Sequence, residues 1–331
     1  MPFRTDQTQD FSLFVIGDVH GCAPELKQLL EKLPLAPQST VVFLGDYVDR
    51  GPESRQVIEI VFELQTYCTV VPLMGNHEAM FLNFLADPQS ELAGHFIYNG
   101  GSATLASYAD DFGCYTIAQE HVKFIRDLEL CYQTEEYFFV HAGVPEIRLE
   151  ELNPDKFRKV MLWTRGSFLT TEYRWSKVVV HGHTPVDEVT IWPNRINLDT
   201  GCVFQGELSA MGFPGRKVFS VRKRTETRAV YLRDKSSDQR MSIRFQGKLP
   251  VRVRMGAQSY DFETVNYSEA GMYMRDLTHL RRVFKLGDII YGSIGSDIDS
   301  LTQFRGRVVR HAKEPDGYHY AVQILPFSSE E

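Results

Sequence analysis

Residues 11–21 read Phe-Ser-Leu-Phe-Val-Ile-Gly-Asp-Val-His-Gly. A largely apolar run, Phe11 to Ile16, stops on a glycine and gives way at once to Asp18 and His20. That is the pattern of a buried strand whose carboxyl end turns tightly and presents a carboxylate and an imidazole. The pattern recurs outward from this stretch. Thr40-Val-Val-Phe-Leu44 runs into Gly45-Asp46-Tyr47-Val48-Asp49-Arg50-Gly51, and Thr69-Val-Val-Pro-Leu-Met74 runs into Gly75-Asn76-His77-Glu78. Between these runs, Leu26, Leu29, Leu30 and Leu33 recur at helical spacing, as do Val57, Ile58, Val61, Phe62 and Leu64. Met80 to Leu85 belongs to a third helix. Strands alternating with helices predict an α/β layer with a largely buried sheet.

Three later runs read as strands: Tyr137 to Val140, Lys177 to Val180 and Arg195 to Leu198. The first is followed by His141-Ala142-Gly143, the second by His181-Gly182-His183-Thr184. Ligands of open α/β sheets sit beyond the carboxyl ends of strands. Five such ends carrying Asp, His and Asn therefore converge on one place. Carboxylates, imidazoles and one amide oxygen form a mixed N/O donor set, which suits Mn²⁺, Fe²⁺ or Zn²⁺ better than Ca²⁺ or a thiolate-seeking metal. The donors suffice for two ions sharing one carboxylate. Such a pair stabilises an in-line phosphoryl displacement and makes hydroxide available near neutral pH.

The 331 residues allow about two domains, and 43% hydrophobic with 24% charged residues is ordinary globular composition. Collagen, coiled coil and wholesale disorder are excluded. No stretch approaches the ~18 consecutive apolar residues of a membrane span. The N-terminal MPFRTDQTQD lacks the apolar core of a secretory signal. Cys22, Cys68, Cys114, Cys131 and Cys202 are odd in number, widely spaced and form no CxxC. Reduced thiols and a cytoplasmic location are the expectation. The net charge of −7 hides a split. Residues 1–210 carry 15 Lys+Arg against 29 Asp+Glu, and residues 211–331 carry 21 against 14. An acidic half and a basic half suggest modules with different partners.

From about residue 203 the pattern turns all-β. The charged stretch 222–239 reads as a linker between a first domain, 1–221, and a second, 240–331. Short β-like runs fill the second: Leu249 to Arg254, Tyr260 to Val265, Gly271 to Met274, Leu286 to Tyr291, Phe304 to Val309 and Tyr318 to Ile324. Half a dozen short strands in about 90 residues suggest a small barrel or sandwich.

The order GDVHG, GDYVDRG, GNHE, HAG, GHTP resembles the phosphoprotein phosphatase type of metallophosphoesterase, in its small bacterial and phage-lambda form. The likeness spans about residues 12–215 and includes Asn99-Gly100-Gly101, Trp163-Thr164-Arg165 and Asp199-Thr200-Gly201. It implies an α/β (α+β) fold of two β-sheets flanked by helices. It implies that Asp18 and His20 bind a first metal, that Asp46 bridges, and that Asn76, His141 and His183 bind a second. By the same likeness His77 is the general acid, Asp49 orients it, and Arg50 and Arg165 clamp the phosphate. The chemistry is self-consistent: a metal-bridging hydroxide attacks phosphorus, a His held by a carboxylate protonates the leaving oxygen, and arginine forks match phosphate oxygens. His181 precedes the ligand position and reads as a supporting residue; His95 and His121 read as surface or packing residues. Nothing requires Cys22 as a nucleophile.

In the basic half, Arg240-Met-Ser-Ile-Arg244 precedes the first barrel strand, and Asn266-Tyr-Ser268-Glu-Ala-Gly271 follows. Alone, each string is a solvated face or a turn. Together they resemble the PilZ domain, a six-stranded barrel that binds cyclic di-GMP, over about residues 239–326. The likeness implies that Arg240 and Arg244 hold guanine and phosphate, with Asn266, Ser268 and Gly271 completing the site. Arginine bonds guanine bidentately and stacks on its plane. Gln239 stands before the pair, where a third arginine would bear on ligand stoichiometry. Nucleic acid is the rival partner, but neither a stacking platform nor a recognition helix is evident in the barrel half.

The expected function is a metal-dependent phosphatase, Mn²⁺ the favoured ion, acting on phosphomonoesters. Phosphoserine or phosphothreonine in proteins is the leading substrate class and a small phosphoester the other. Cyclic di-GMP is the expected regulatory or targeting ligand. A related type that cleaves dinucleoside tetraphosphates lacks the second aspartate of the GDYVDRG loop, and Asp49 is present here. Two further readings remain: a dinucleoside polyphosphate hydrolase, and a cyclic di-GMP-responsive adaptor with a vestigial phosphatase half.

Overall fold

The computed structural model describes residues 11–110, 114–223, 245–246, 250–255, 258–268, 271–277, 283–294, 302–314 and 317–325. The chain divides into two compact units. One comprises Met1–Ala79 with Ala103–Arg228, the other Met80–Ser102 with Ala229–Glu331.

In the first unit the expected strands form as β1 (Leu13–Ile16), β2 (Thr40–Phe43) and β3 (Thr69–Pro72). They pair in parallel, with Ile16 opposite Phe43 and Phe43 opposite Pro72. This register brings the three polar loops out level at one edge. Helices α1 (Ala23–Lys32) and α2 (Ser54–Gln65) provide the crossovers, and α3 begins at Asn76. A second sheet is built from β4 (Cys131–Gln133), β5 (Tyr137–Val140), β6 (Val178–His181), β7 (Thr190–Ile191) and β8 (Arg195–Asn197), in the order β4-β5-β6-β8-β7. β9 (Glu207–Phe213) and β10 (Lys217–Arg222) return to the first sheet, giving β10-β9-β1-β2-β3.

Alternation along the strands explains the layers. Phe139 points with Val15, Val42, Leu73, Val180, Ile196 and Met211 into the core between the sheets. Its neighbours Phe138 and Val140 point to the opposite face, onto Met161, Phe168 and Trp175. Both sheets are covered on two sides, which is why their strands read as apolar runs rather than as alternating patterns.

In the second unit β11 (Phe245–Gln246), β12 (Pro250–Met255), β13 (Gln258–Ser268), β14 (Gly271–Asp276), β15 (Ile289–Ile294), β16 (Thr302–Glu314) and β17 (Gly317–Leu325) are antiparallel. β13 pairs with both β12 and β14, and β14 with β17, so β12-β15-β16-β17-β14-β13 closes into a ring of six. Closure leaves no free edge in that ring. Val253, Phe262, Met274, Phe284, Val308 and Tyr320 are buried in it. The helical segment of this unit packs Phe81 on Phe96, with ring centroids 5.0 Å apart, and Tyr98 stacks on Tyr267 at 5.1 Å. Among the described residues no helix is long and apolar enough to cross a membrane.

Candidate metal and phosphate site

The loops after β1, β2, β3, β5 and β6 meet, and backbone bonds tie them together. Val19 and His20 donate N–H to the Asp46 carbonyl at 3.1 and 2.8 Å, and Gly21 donates to Tyr47 O. Gly182 donates to His141 O at 2.8 Å. A Cβ on Gly51 would lie 2.0 Å from His20 O, and one on Gly182 would lie 2.0 Å from Asp18 Oδ1. Only glycine permits these approaches.

His20, Asp46, Asp49, Arg50 and His183 all hold positive φ, between 46° and 73°. That conformation costs a non-glycine residue about 1–3 kcal/mol and persists where surroundings over-determine it. Glu78 supplies much of that determination. Its carboxylate accepts from the N–H groups of Asp46, Tyr47, Val48 and Gly75 at 2.8–3.2 Å. Its task is not evident from sequence, where the one signal is an acidic residue in the first turn of a helix next to His77.

Asp46 stands at the centre. Its Oδ2 lies 3.4 Å from His20 Nε2 and 3.9 Å from His77 Nε2, while Oδ1 lies 3.5 Å from His141 Nε2. Asn76 Oδ1 is 2.9 Å from both His141 Nε2 and His183 Nδ1, and those two nitrogens are 3.2 Å apart. Asp18 accepts the His183 N–H at 3.0 Å. Two groups of ligand-type atoms result, His20 with Asp46 and His77, and Asp46 with His141 and His183; each lies within 4.8 Å. His20 Nδ1 and His141 Nδ1 are spent on the Val48 and Leu44 carbonyls at 2.8 and 2.9 Å. That fixes the tautomer and aims each Nε2 inward.

The electrostatics fit a cation. Burial, then Asp199 and Asp46, hold Asp18 well above the ordinary carboxylate range. Burial pushes Asp46 up to about 7 and raises Asp199. Burial also holds His20 and His183 well below the usual histidine value and takes His141 down to about 4. Neutral imidazoles are the metal-binding form, and crowded buried carboxylates gain most from positive charge. Asp199, quoted in sequence reading only as part of a likeness, adds its carboxylate to this crowd.

His77 Nδ1 is 2.6 Å from Asp49 Oδ2. Asp49 is itself fixed: Oδ1 accepts from Thr104 Oγ1 at 2.7 Å, and its N–H donates to Thr104 Oγ1 and Ser54 Oγ. Neither Thr104 nor Ser54 carries a motif that a sequence reader would notice. Burial, then Arg50, hold His77 well below the usual histidine range, and burial holds Asp49 well above the ordinary carboxylate range. The arginines border the same space. Arg50 Nη1 lies 2.5 Å from His20 Nε2, and Arg165 Nε donates to His183 Nε2 at 3.1 Å.

His181 turns away, its Nδ1 on Gly182 O and its ring edge on Phe168. His95 and His121 are buried packing residues, the latter bonded to Tyr108 Oη at 2.7 Å. In the barrel, Arg240 and Arg244 lie outside the described residues. Asn266 and Ser268 close β13, and Gly271 opens β14 directly opposite Ser268. Gly271 does not take the positive φ that the isolated string would use as a turn. It is required because a Cβ there would lie 2.5 Å from the Val322 carbonyl of β17.

Comparison with known proteins agrees with this geometry. The calcineurin-like phosphoesterase family model matches residues 11–210, and the PilZ domain model matches residues 238–331. A bis(5'-nucleosyl)-tetraphosphatase PrpE [asymmetrical] of Oceanobacillus iheyensis is 31% identical over 243 residues, covering 63% of this chain and 92% of that protein. One from Anoxybacillus flavithermus is 31% identical over 232 residues, covering 62% and 92%. A crystal structure described as a putative diadenosine tetraphosphatase superposes with TM-score 0.51 at 23% identity, over 66% of this chain and 96% of that one, and shares the fold. The curated relatives are thus dinucleoside tetraphosphatases rather than the protein phosphatases expected from sequence. The chain belongs to the calcineurin-like phosphoesterase family and carries a PilZ domain at its C-terminal end.

Proposed function

We propose that the N-terminal unit is a two-metal hydrolase of phosphate esters whose substrate is a dinucleoside polyphosphate. The observation that carries the hydrolytic reading is Asp46, buried between two sets of neutral imidazoles, with each carboxylate oxygen facing one set. Asp18 and His20 would hold one divalent ion, Asn76, His141 and His183 the other, and Asp46 both. Mn²⁺ is the favoured ion for this N/O set, with Fe²⁺ and Zn²⁺ compatible. When bound, the ions neutralise phosphate charge and make the nucleophile available near neutral pH. His77, held by Asp49, delivers a proton to the leaving oxygen. Arg50 and Arg165 offset charge on the transferred phosphate.

The substrate class rests on the relatives, which are named for it over 92% of their length. A second reading, a phosphomonoesterase acting on phosphoserine or phosphothreonine, is favoured by Asp49. The C-terminal barrel binds cyclic di-GMP in this account, through Arg240, Arg244, Asn266, Ser268 and Gly271, and adjusts the rate or the location of the hydrolase. Such coupling requires the nucleotide to bind two states of the chain unequally.

The test is turnover by the purified chain with Mn²⁺ on diadenosine tetraphosphate and on a phosphoserine peptide, each titrated with cyclic di-GMP. The proposal expects kcat/KM on the dinucleotide to exceed that on the peptide by at least about tenfold, since binding the two nucleosides adds recognition that a peptide lacks. The reverse ratio selects the phosphomonoesterase. No turnover with any divalent metal selects an adaptor.

A further inference from the structure

The loop after Asp199-Thr200-Gly201 ends on a ring that faces solvent. Phe204 is 58% exposed, although the turn that carries it, Cys202–Phe204, is firmly held. Left-handed residues bound that turn on both sides, Gly201 at φ 66° and Gln205 at φ 75°. Phe204 N–H and Gly206 N–H both donate to Gly201 O, at 2.9 and 3.0 Å. A Cβ on Gly206 would lie 2.1 Å from Thr200 O, so the backbone there is packed to contact. Cys202, two residues before the ring, is buried. A large apolar side chain carried on a rigid turn and left open to water forgoes the stabilisation that burial gives.

Arg50 connects this ring to the reacting centre. Its guanidinium carbon lies 5.2 Å from the Phe204 ring centroid, and its Nη1 lies 2.5 Å from His20 Nε2. A phosphate group held beside Arg50 therefore lies within one side-chain length of Phe204. A ring face with a guanidinium beside it attracts flat, polarisable groups by stacking and by the cation–quadrupole interaction. Nucleobases are such groups, and base–aromatic stacking tolerates any base because each has a π-face. A serine or threonine leaving group offers no ring to stack.

We infer that Phe204 is a specificity-determining residue, a stacking platform for one nucleobase of a dinucleoside polyphosphate; this rests on the substrate class proposed above. The platform acts by holding the nucleoside on the leaving side of the scissile phosphate. It therefore discriminates nucleotide from ring-free esters rather than accelerating both.

The experiment compares the Mn²⁺-loaded chain and its Phe204→Ala and Phe204→Trp variants on diadenosine tetraphosphate and on glycerol 2-phosphate. The expected result is a fall of about tenfold in the ratio of the two kcat/KM values for Phe204→Ala, restored or exceeded by Phe204→Trp. Equal losses on both substrates, or an unchanged ratio, overturn the inference. A wild type that cleaves glycerol 2-phosphate but not the dinucleotide overturns the substrate class instead. The platform is read separately by inhibition of glycerol 2-phosphate cleavage by AMP. A Ki that rises about tenfold in Phe204→Ala and recovers in Phe204→Trp supports it, and an unmoved Ki overturns it.

Discussion

The two sheet-built regions spend their buried volume in opposite ways. The ring of β12 to β17 closes over Val253, Phe262, Met274, Phe284 and Val308, an apolar interior of the usual kind. The meeting point of the N-terminal loops buries Asp18, His20, Asp46, Asp49, Asn76, His77, Glu78, His141, His183 and Asp199 instead. Burying such groups costs free energy unless hydrogen bonds and opposite charges compensate. Glu78, Thr104 and the carbonyls of Leu44 and Val48 satisfy part of the set. The carboxylates of Asp18, Asp46 and Asp199 remain crowded, raised by burial and by one another. The barrel buries mainly apolar side chains, whereas the loop cluster buries a donor set that the proposed cations would complete.

That contrast is open to direct attack. The largest expected effect is catalytic. His77→Asn should lower kcat by about 10²- to 10⁴-fold while Mn²⁺ content stays at the wild-type level, because the proton donor is removed and the proposed ligands remain. Loss of metal in this variant would mean that His77 belongs to the donor set, as its 3.9 Å approach to Asp46 Oδ2 allows.

Next is stability. Glu78→Ala removes the acceptor for four buried N–H groups. It should destabilise the chain in urea by about 3 kcal/mol or more, at about 1–3 kcal/mol for each donor left without a partner. Phe262→Ala in the ring should cost a similar ~3–5 kcal/mol by leaving a cavity. The two should differ in one respect. Mn²⁺ should raise the thermal midpoint of the wild type and of Phe262→Ala, by the linkage of binding to folding. Glu78→Ala should lose that increment because Asp46 is no longer held.

A smaller effect concerns pH. Asp46, raised to about 7 by burial, must lose its proton to bind a cation. His141, already neutral down to about 4, contributes no competing proton in the same range. Mn²⁺ affinity measured by calorimetry should therefore rise with pH at least up to about 7, by up to tenfold per unit for each proton displaced. The metal-free chain should show the opposite trend. Asp46 and Glu78, both raised to about 7, contribute stability that is complete below the ordinary carboxylate range and is lost as pH rises through 7. Urea midpoints with and without metal across pH 5–8 check both signs.

For the barrel, replacing Arg240 and Arg244 together by alanine should abolish cyclic di-GMP binding in calorimetry. Retained binding would move the nucleotide site elsewhere.

How much of this was legible in the sequence differs between the two regions for a physical reason. Strands buried on both faces announce themselves as apolar runs, and the glycines that end them mark the loops. Asp18, Asp46, Asn76, His141 and His183 are therefore legible at strand ends from the sequence. The barrel strands read differently, by alternation, as in Leu249-Pro-Val-Arg-Val-Arg254 at β12. What escaped was the support. Thr104 reaches Asp49 across 55 residues of chain and Ser54 from five residues on, and no local pattern marks either. Nothing in the sequence singles out Phe204, because exposure on a rigid turn is a tertiary property. The close approach that Gly271 permits is made to the Val322 carbonyl of β17, a partner that no local pattern marks.

The most direct test of the central claim is the stoichiometry of Mn²⁺ bound to the metal-stripped wild-type chain, titrated by calorimetry and checked by elemental analysis. The account expects two ions per chain, both lost in Asp46→Ala, since that carboxylate faces both donor groups. One ion, none, or two ions that survive Asp46→Ala would contradict it.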